Sequence, residues 1–225
     1  TLHAERGVVL RSGRQEITCG LLDVEFGEGN FGRIPKVARA RQKVRARERQ
    51  RVIAGDLLTA YMEDRQVPVP MPAPGLGHTG PARKTRMKTE IVLREVDAAG
   101  NVRIHDRDSA QKVEVDCQKL HAMLDPDGKI RWCYLEGTDQ KWARAELRDN
   151  VIAGRKVTMD LATEEMSIPG PGELQFVNNQ DIDGARLSKP TPIAINWSES
   201  MKLTGGTKNQ GTFLGNARVR SNRST

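Results

Sequence analysis

The side chains in this chain that can do chemistry fall into three groups. His105-Asp106-Arg107-Asp108 sets an imidazole beside two carboxylates and a guanidinium, the parts of a general acid/base or metal site. No second His or carboxylate stands at a helical i+4 spacing from it, so a solvated loop is the better account. Cys117, His121 and Cys133 supply two sulfurs and an imidazole. Their spacing matches no paired Cys-x-x-Cys zinc arrangement, and buried or disulfide-linked thiols on adjacent strands fit better. Asp125-Pro126-Asp127-Gly128 begins like a calcium loop, but glycine falls at the fourth place where an EF-hand needs it at the sixth, so the segment reads as a hairpin turn. The chain has no Gly-x-Ser-x-Gly elbow, no phosphate-cradling glycine loop ending in Lys-Ser/Thr and no His-Glu-x-x-His. The expectation is therefore no enzyme, no catalytic residue, no metal and no cofactor.

The elements that would position these residues are short strands. Val157-Thr158-Met159-Asp160-Leu161 alternates apolar with polar, Met166-Ser167-Ile168 does so again, and Leu174-Gln175-Phe176 resumes after Pro169-Gly170-Pro171-Gly172. Period two means strands, with Val157, Met159 and Leu161 inward and Thr158 and Asp160 outward. Val113-Glu114-Val115-Asp116-Cys117, Ile130 to Tyr134, Ala143 to Leu147 and Ile193-Ala194-Ile195-Asn196-Trp197 follow the same rule, each bounded by turn residues. Nearer the start, Val8-Val9-Leu10, a polar turn and Ile17 to Phe26 read as a hairpin followed by a longer strand.

Self-similarity runs through the pattern. Leu58-Thr59-Ala60-Tyr61-Met62-Glu63 superimposes on Leu120-His121-Ala122-Met123-Leu124-Asp125, Val157 to Ile168 gives a third copy, and Ile17 to Phe26 a weaker fourth. Turn pieces recur as Gly100-Asn101-Val102, Asp149-Asn150-Val151 and Gly215-Asn216-Ala217. The organisation expected is a first repeat region at 1–65, a Pro/Gly-rich linker or insertion at 66–87, a main repeat region at 88–220 and a polar tail at 221–225.

Composition bounds the partners. The chain has 225 residues, enough for one domain or two small ones, and its 37% hydrophobic and 4% aromatic content suits a thin sheet protein better than an enzyme. A net charge of +7 and a pI of about 9.5 favour anionic partners. The charge concentrates at 36–51, where Arg39, Arg41, Lys43, Arg45, Arg47, Arg49 and Arg51 occupy odd positions. Its Ala, Gln and Arg content favours a helix, while a strand would put every cation on one face; an anion-binding arm and a merely solvated surface are both open. No apolar run approaches the roughly 18 residues that a spanning helix needs. The chain opens on Thr1-Leu2-His3 with neither an initiator Met nor a signal-peptide pattern, and its N-terminus is expected to have been removed.

The Gly-Asn-Val turn, the Val-x-Val-Asp and Val-x-Met-Asp strands with a Leu nearby, the second turn and the return strand together resemble the OstA/LptA family. So do Gly170-Pro171-Gly172-Glu173-Leu174, Trp197-Ser198-Glu199-Ser200-Met201 and Phe213-Leu214-Gly215-Asn216-Ala217-Arg218-Val219, over residues 88 to 220 and more loosely 1 to 65. The basic segment and the proline-rich stretch depart from the family pattern. The resemblance implies an all-β jellyroll of tandem short-strand repeats, folded like a taco shell. It implies a periplasmic protein on the route to the outer membrane that carries lipopolysaccharide or a similar glycolipid with its acyl chains between two sheets. It supplies no catalytic residues.

The apolar alternation by itself fits a dry core, and only the resemblance turns it into a lipid groove. The expected lining is Val102, Ile104, Val113, Val115, Val157, Met159, Leu161, Met166, Ile168, Leu174, Phe176, Ile193, Ile195 and Trp197. Unpaired strand edges are expected to join other OstA/LptA-type jellyroll proteins by strand addition. The alternatives are a basic nucleic-acid-binding β protein, disfavoured because aromatic stacking platforms are sparse, and a structural assembly module. No nucleic-acid partner is expected.

Overall fold

A computed structural model describes residues 1–29, 32–68, 87–107, 112–147, 150–180, 186–205 and 210–221, and among them every regular element is a β-strand. The strands form one large antiparallel sheet, so the all-β expectation holds. The Pro/Gly-rich stretch at 69–86, Asp108, Asp149 and residues 222–225 lie outside the described residues.

The first six strands meander: β1 (Leu2–Ser12), β2 (Gln15–Gly29), β3 (Gly32–Glu48), β4 (Arg51–Pro68), β5 (Met87–Asp106) and β6 (Val113–Leu124), each pairing with the next. Most are two to three times an ordinary strand of about 5–6 residues, and each is interrupted partway along. Register slips fall between Glu5 and Val8, Thr18 and Leu21, Arg41 and Val44, Ala54 and Leu57, and Ala99 and Val102. Because these slips are neighbours across the sheet, the bulges form a row and crease it. Alternate strands cross the crease on residues of positive φ: Arg6-Gly7, Gln42-Lys43 and Gly100-Asn101. At Gly100, φ is +78° and the Asp56 side chain fills the place a Cβ would take, so the position needs glycine twice over.

At β6 the sheet forks. Residues 119–124 pair with β7 (Ile130–Glu136), and residues 113–116 pair with β8 (Ala143–Leu147). Thereafter each pass across the crease is two strands, one in each arm. The first arm runs β7, β10 (Lys156–Asp160), β11 (Glu165–Pro169), β14 (Ser200–Thr204), β15 (Gln210–Leu214); the second runs β8, β9 (Asn150–Gly154), β12 (Gly172–Gln180), β13 (Arg186–Trp197), β16 (Arg218–Ser221). Backbone hydrogen bonds stitch the passes together at the crease: Gly137 N–H to Arg155 O at 2.8 Å, and Ser198 N–H to Gly215 O at 2.8 Å. Gly215-Asn216 is again a positive-φ pair, so two of the recurring Gly-Asn turns mark the crease, whereas Asn150 opens β9 at the far end of an arm.

The two arms share a core. Ala98, Val102, Cys117, Leu120, Ala122, Cys133, Leu135, Ala143, Ile152, Val157, Ile168, Trp197 and Met201 form one buried cluster drawn from both. A second buried cluster, Cys19, Leu22, Ala40 and Val44, lies along the crease among β2 and β3, and Leu58 packs against both clusters. The register places Leu58 and Leu120 on either side of Ala98, so the two superimposable hexapeptides are neighbours in space at equivalent depths.

Of the two readings of the basic segment, helix and strand, the strand is found. Ala38, Ala40, Val44 and Ala46 face the interior while Arg39, Arg41, Arg45 and Arg47 face out, and pairing with β2 and β4 on both sides outweighs a helix propensity worth tenths of a kcal/mol per residue. Residues 66–68 are the end of β4 and Met87 begins β5. The two pair without a break in the sheet from Arg51 opposite Asp106 to Pro68 opposite Met87, so the regions 1–65 and 88–220 are one sheet.

Candidate functional site

The candidate site is the inward face of the creased sheet. Of the expected groove lining, Val102, Val157 and Ile168 are 0% exposed and Trp197 is 4%. Trp197 Nε1 donates to Gly170 O at 3.0 Å, and the ring packs on Phe213 with centroids 5.3 Å apart. Ile104, Val115, Met159, Met166, Leu174 and Ile195 pack against this cluster, and Val113, Phe176 and Ile193 continue the same rows farther from the crease, half-buried. Over this half the side chains fill the space between the arms themselves.

Leu161 departs from the expectation. Asp160 Oδ1 accepts the N–H groups of Ala162 and Thr163 at 2.9 and 3.1 Å, which closes a turn before the next inward position is reached. Leu161 consequently has its side chain 54% exposed.

Sequence reasoning missed the other half of the interior. In β1 to β4 the inward rows hold Leu2, Ala4, Leu22, Val24, Ala38, Ala40, Leu58 and Ala60 on the first arm, and Val8, Leu10, Ile17, Val44, Ala46 and Ile53 on the second. Five of these fourteen are alanine, and the rest are leucine, valine and isoleucine. Cover is complete only at the crease, and Leu2 and Leu10, one on each arm at the β1 edge, are 48% and 43% exposed. The signal was present as Ala-Arg alternation, but the arginines drew attention to charge and the alanines suggested a helix.

The outer face over this half is polarised. On the second arm Arg11 pairs with Glu16 at 2.7 Å and Arg51 with Asp106 at 2.6 Å, while Lys43, Arg45, Arg47 and Arg49 form no ion pair among the described residues. On the first arm Arg39 pairs with Glu25, Arg41 with Asp23 at 3.3 Å, and Arg94 with Glu63 at 3.1 Å. The uncompensated cations thus gather on one arm and at the crease.

The groups with chemical potential separate. Cys117 and Cys133 point inward as free thiols in the larger core cluster, and burial pushes them up to about 12 and about 11, so both are protonated and inert. His121 points outward, so the trio Cys117, His121 and Cys133 is split by the sheet and is no ligand set. His105 and Asp106 end β5 instead of lying in a loop, and Asp106 is engaged by Arg51. Asp125 Oδ1 accepts the N–H groups of Asp127 and Lys129, both at 2.9 Å, and Gly128 has φ +78°, which is the expected hairpin turn. No protein-family model matches this chain, and no curated protein matches it.

Proposed function

We propose that this protein binds lipopolysaccharide or a similar glycolipid in the periplasm, in the manner of the OstA/LptA family that its motifs resemble. The acyl chains lie between the arms of β1 to β4, and the sheet is the taco-shell jellyroll of that family. The observation that carries the reading is the pair of apolar inward rows that end open at Leu2 and Leu10. Each buried methylene is worth roughly 0.8 kcal/mol, so a few acyl chains against these rows would hold a lipid firmly. Lys43, Arg45, Arg47 and Arg49 suit the anionic phosphates of the headgroup. The free backbone groups along β1, and along β15 and β16 at the opposite end, suit strand addition by neighbouring modules on the way to the outer membrane.

Photo-crosslinkers at Leu2, Leu10 and Ala60 should capture glycolipid, and ones at Val9, Thr18 and Leu57 on the opposite face should not. Equal labelling of both faces, or labelling only near Arg45 and Arg47, would mean that lipid meets surface charge alone. Titrations of glycolipid and of single-stranded DNA, each across a salt series, test the nucleic-acid reading, which requires affinity for DNA that exceeds that for glycolipid.

A further inference from the structure

The outer face of the first arm carries a cluster for which lipid binding has no use. Across β4, β5, β6 and β7 the register sets Thr59 opposite Asp97, Asp97 opposite His121 and His121 opposite Tyr134; one step along, Tyr61 faces Glu95 and Met123 faces Trp132. His121 Nδ1 lies 2.7 Å from Asp97 Oδ1 and 3.6 Å from Glu95 Oε1, and one ligand atom from each of the three residues lies within 4.8 Å of the others. Tyr61 stands diagonally across from Asp97 in the register, and the Trp132 ring meets the imidazole edge-on with centroids 5.4 Å apart. Thr59, though on the outer face, is covered to 5% exposure.

We propose that Glu95, Asp97 and His121 bind a zinc-type transition-metal dication, with the fourth coordination position open to solvent. Zinc bonds of about 2.0–2.2 Å to nitrogen and oxygen in tetrahedral array put ligand atoms about 3.3–3.6 Å apart. The 3.6 Å from His121 to Glu95 already meets that range, and the 2.7 Å from His121 to Asp97 requires Asp97 to withdraw by about 0.6–0.9 Å. All three side chains are about a third exposed and free to make that adjustment. Two carboxylates balance the charge of the dication, and the imidazole selects a borderline metal over magnesium or calcium, which prefer oxygen alone. No spacing rule exposes this site, because its ligands come from two strands and meet only by register.

The chain contains its own control. His3 also touches two carboxylates, but through different nitrogens: Nδ1 with Asp23 at 2.5 Å and Nε2 with Glu5 at 2.8 Å. Opposite ends of one ring cannot share an ion.

Calorimetric titration of the metal-free full chain with Zn²⁺ should give one site per chain. Glu95→Gln, Asp97→Asn and His121→Gln should each weaken it at least tenfold, and His3→Gln should leave it within twofold. Cu²⁺ should quench the fluorescence of Trp132, a quench lost in Trp132→Phe, and Co²⁺ should give the intense visible absorption of a four-coordinate site. Absence of saturable binding by the wild type, affinity within twofold of wild type in Glu95→Gln and His121→Gln, or equal loss in His3→Gln would overturn the assignment. Thermal melts of each variant identify any that fails to fold; the remaining ligand variants then decide.

Discussion

The two halves of the sheet have the same creased plan and opposite interiors. From β6 onward the inward positions include Leu120, Leu135, Val157, Ile168, Met201, Trp197 and Phe213 beside smaller residues such as Ala122 and Ala143, and the arms meet over them. From β1 to β4 the equivalent positions mix alanine with leucine, valine and isoleucine and hold no Trp, Phe or Met, and the rows run out half-exposed at the β1 edge. Both halves are antiparallel, but the strands of the first cross the crease on bulges while those of the second break there into one strand per arm. The closed half adds Trp197, Phe213 and Met201 to its interior, which the β1–β4 rows lack, and close packing follows where such bulk spans the arms.

The comparison breaks most sharply under an introduced charge. Val157→Asp buries an unpaired carboxylate in the closed half and should cost at least about 3 kcal/mol, whereas Leu10→Asp at the open edge should cost less than about 1 kcal/mol. Denaturant titration of both variants checks this, and equal costs would mean that the N-terminal rows are core as well. Added volume comes next. Ala122→Phe should overpack the closed half by about 1–3 kcal/mol, while Ala60→Phe should be tolerated yet abolish glycolipid capture at Leu10. A destabilised Ala60→Phe would show that no room exists between those arms.

The thiols sharpen the comparison on a smaller scale. Cys19, Cys117 and Cys133 are all nearly sealed; burial raises Cys117 to about 12 and Cys133 to about 11, while at Cys19 burial raises the thiol and backbone hydrogen bonds from Leu21 and Arg41 oppose it. Native-state alkylation at pH 8 should therefore modify Cys19 at least about tenfold faster than the other two, read by mass spectrometry. The smallest effect concerns the β1 edge. Its hydrogen bonds with Asp23 and Glu5 raise His3 above the usual 6.5, and the bond with His3 lowers Asp23 below 3.8. The raised histidine contributes fully below 6.5 and fades as pH rises through its folded value; the lowered aspartate contributes fully above 3.8 and fades as pH falls through its own. Amide protection of β1 should thus be greatest between those two values and decline on either side, and His3→Gln should flatten the profile.

The sequence by itself determined the strands, many of their turns and the in-out assignment of most apolar residues, because strand periodicity is a local property set by side-chain alternation. Val157, Met159 and Ile168 were legible in this way, as were the hairpin at Asp125 to Gly128 and the kinship of Leu58 to Glu63 with Leu120 to Asp125. Tertiary structure decided the rest. Pairing on both flanks made 32–48 a strand against its own propensity, and the alignment of bulges on successive strands produced a crease that no single strand encodes. Closure of one half and openness of the other depend on volumes summed across facing arms, and the approach of Glu95 and Asp97 to His121 depends on register between β5 and β6. Such contacts join residues far apart in the chain, and only the pairing of strands brings them within reach.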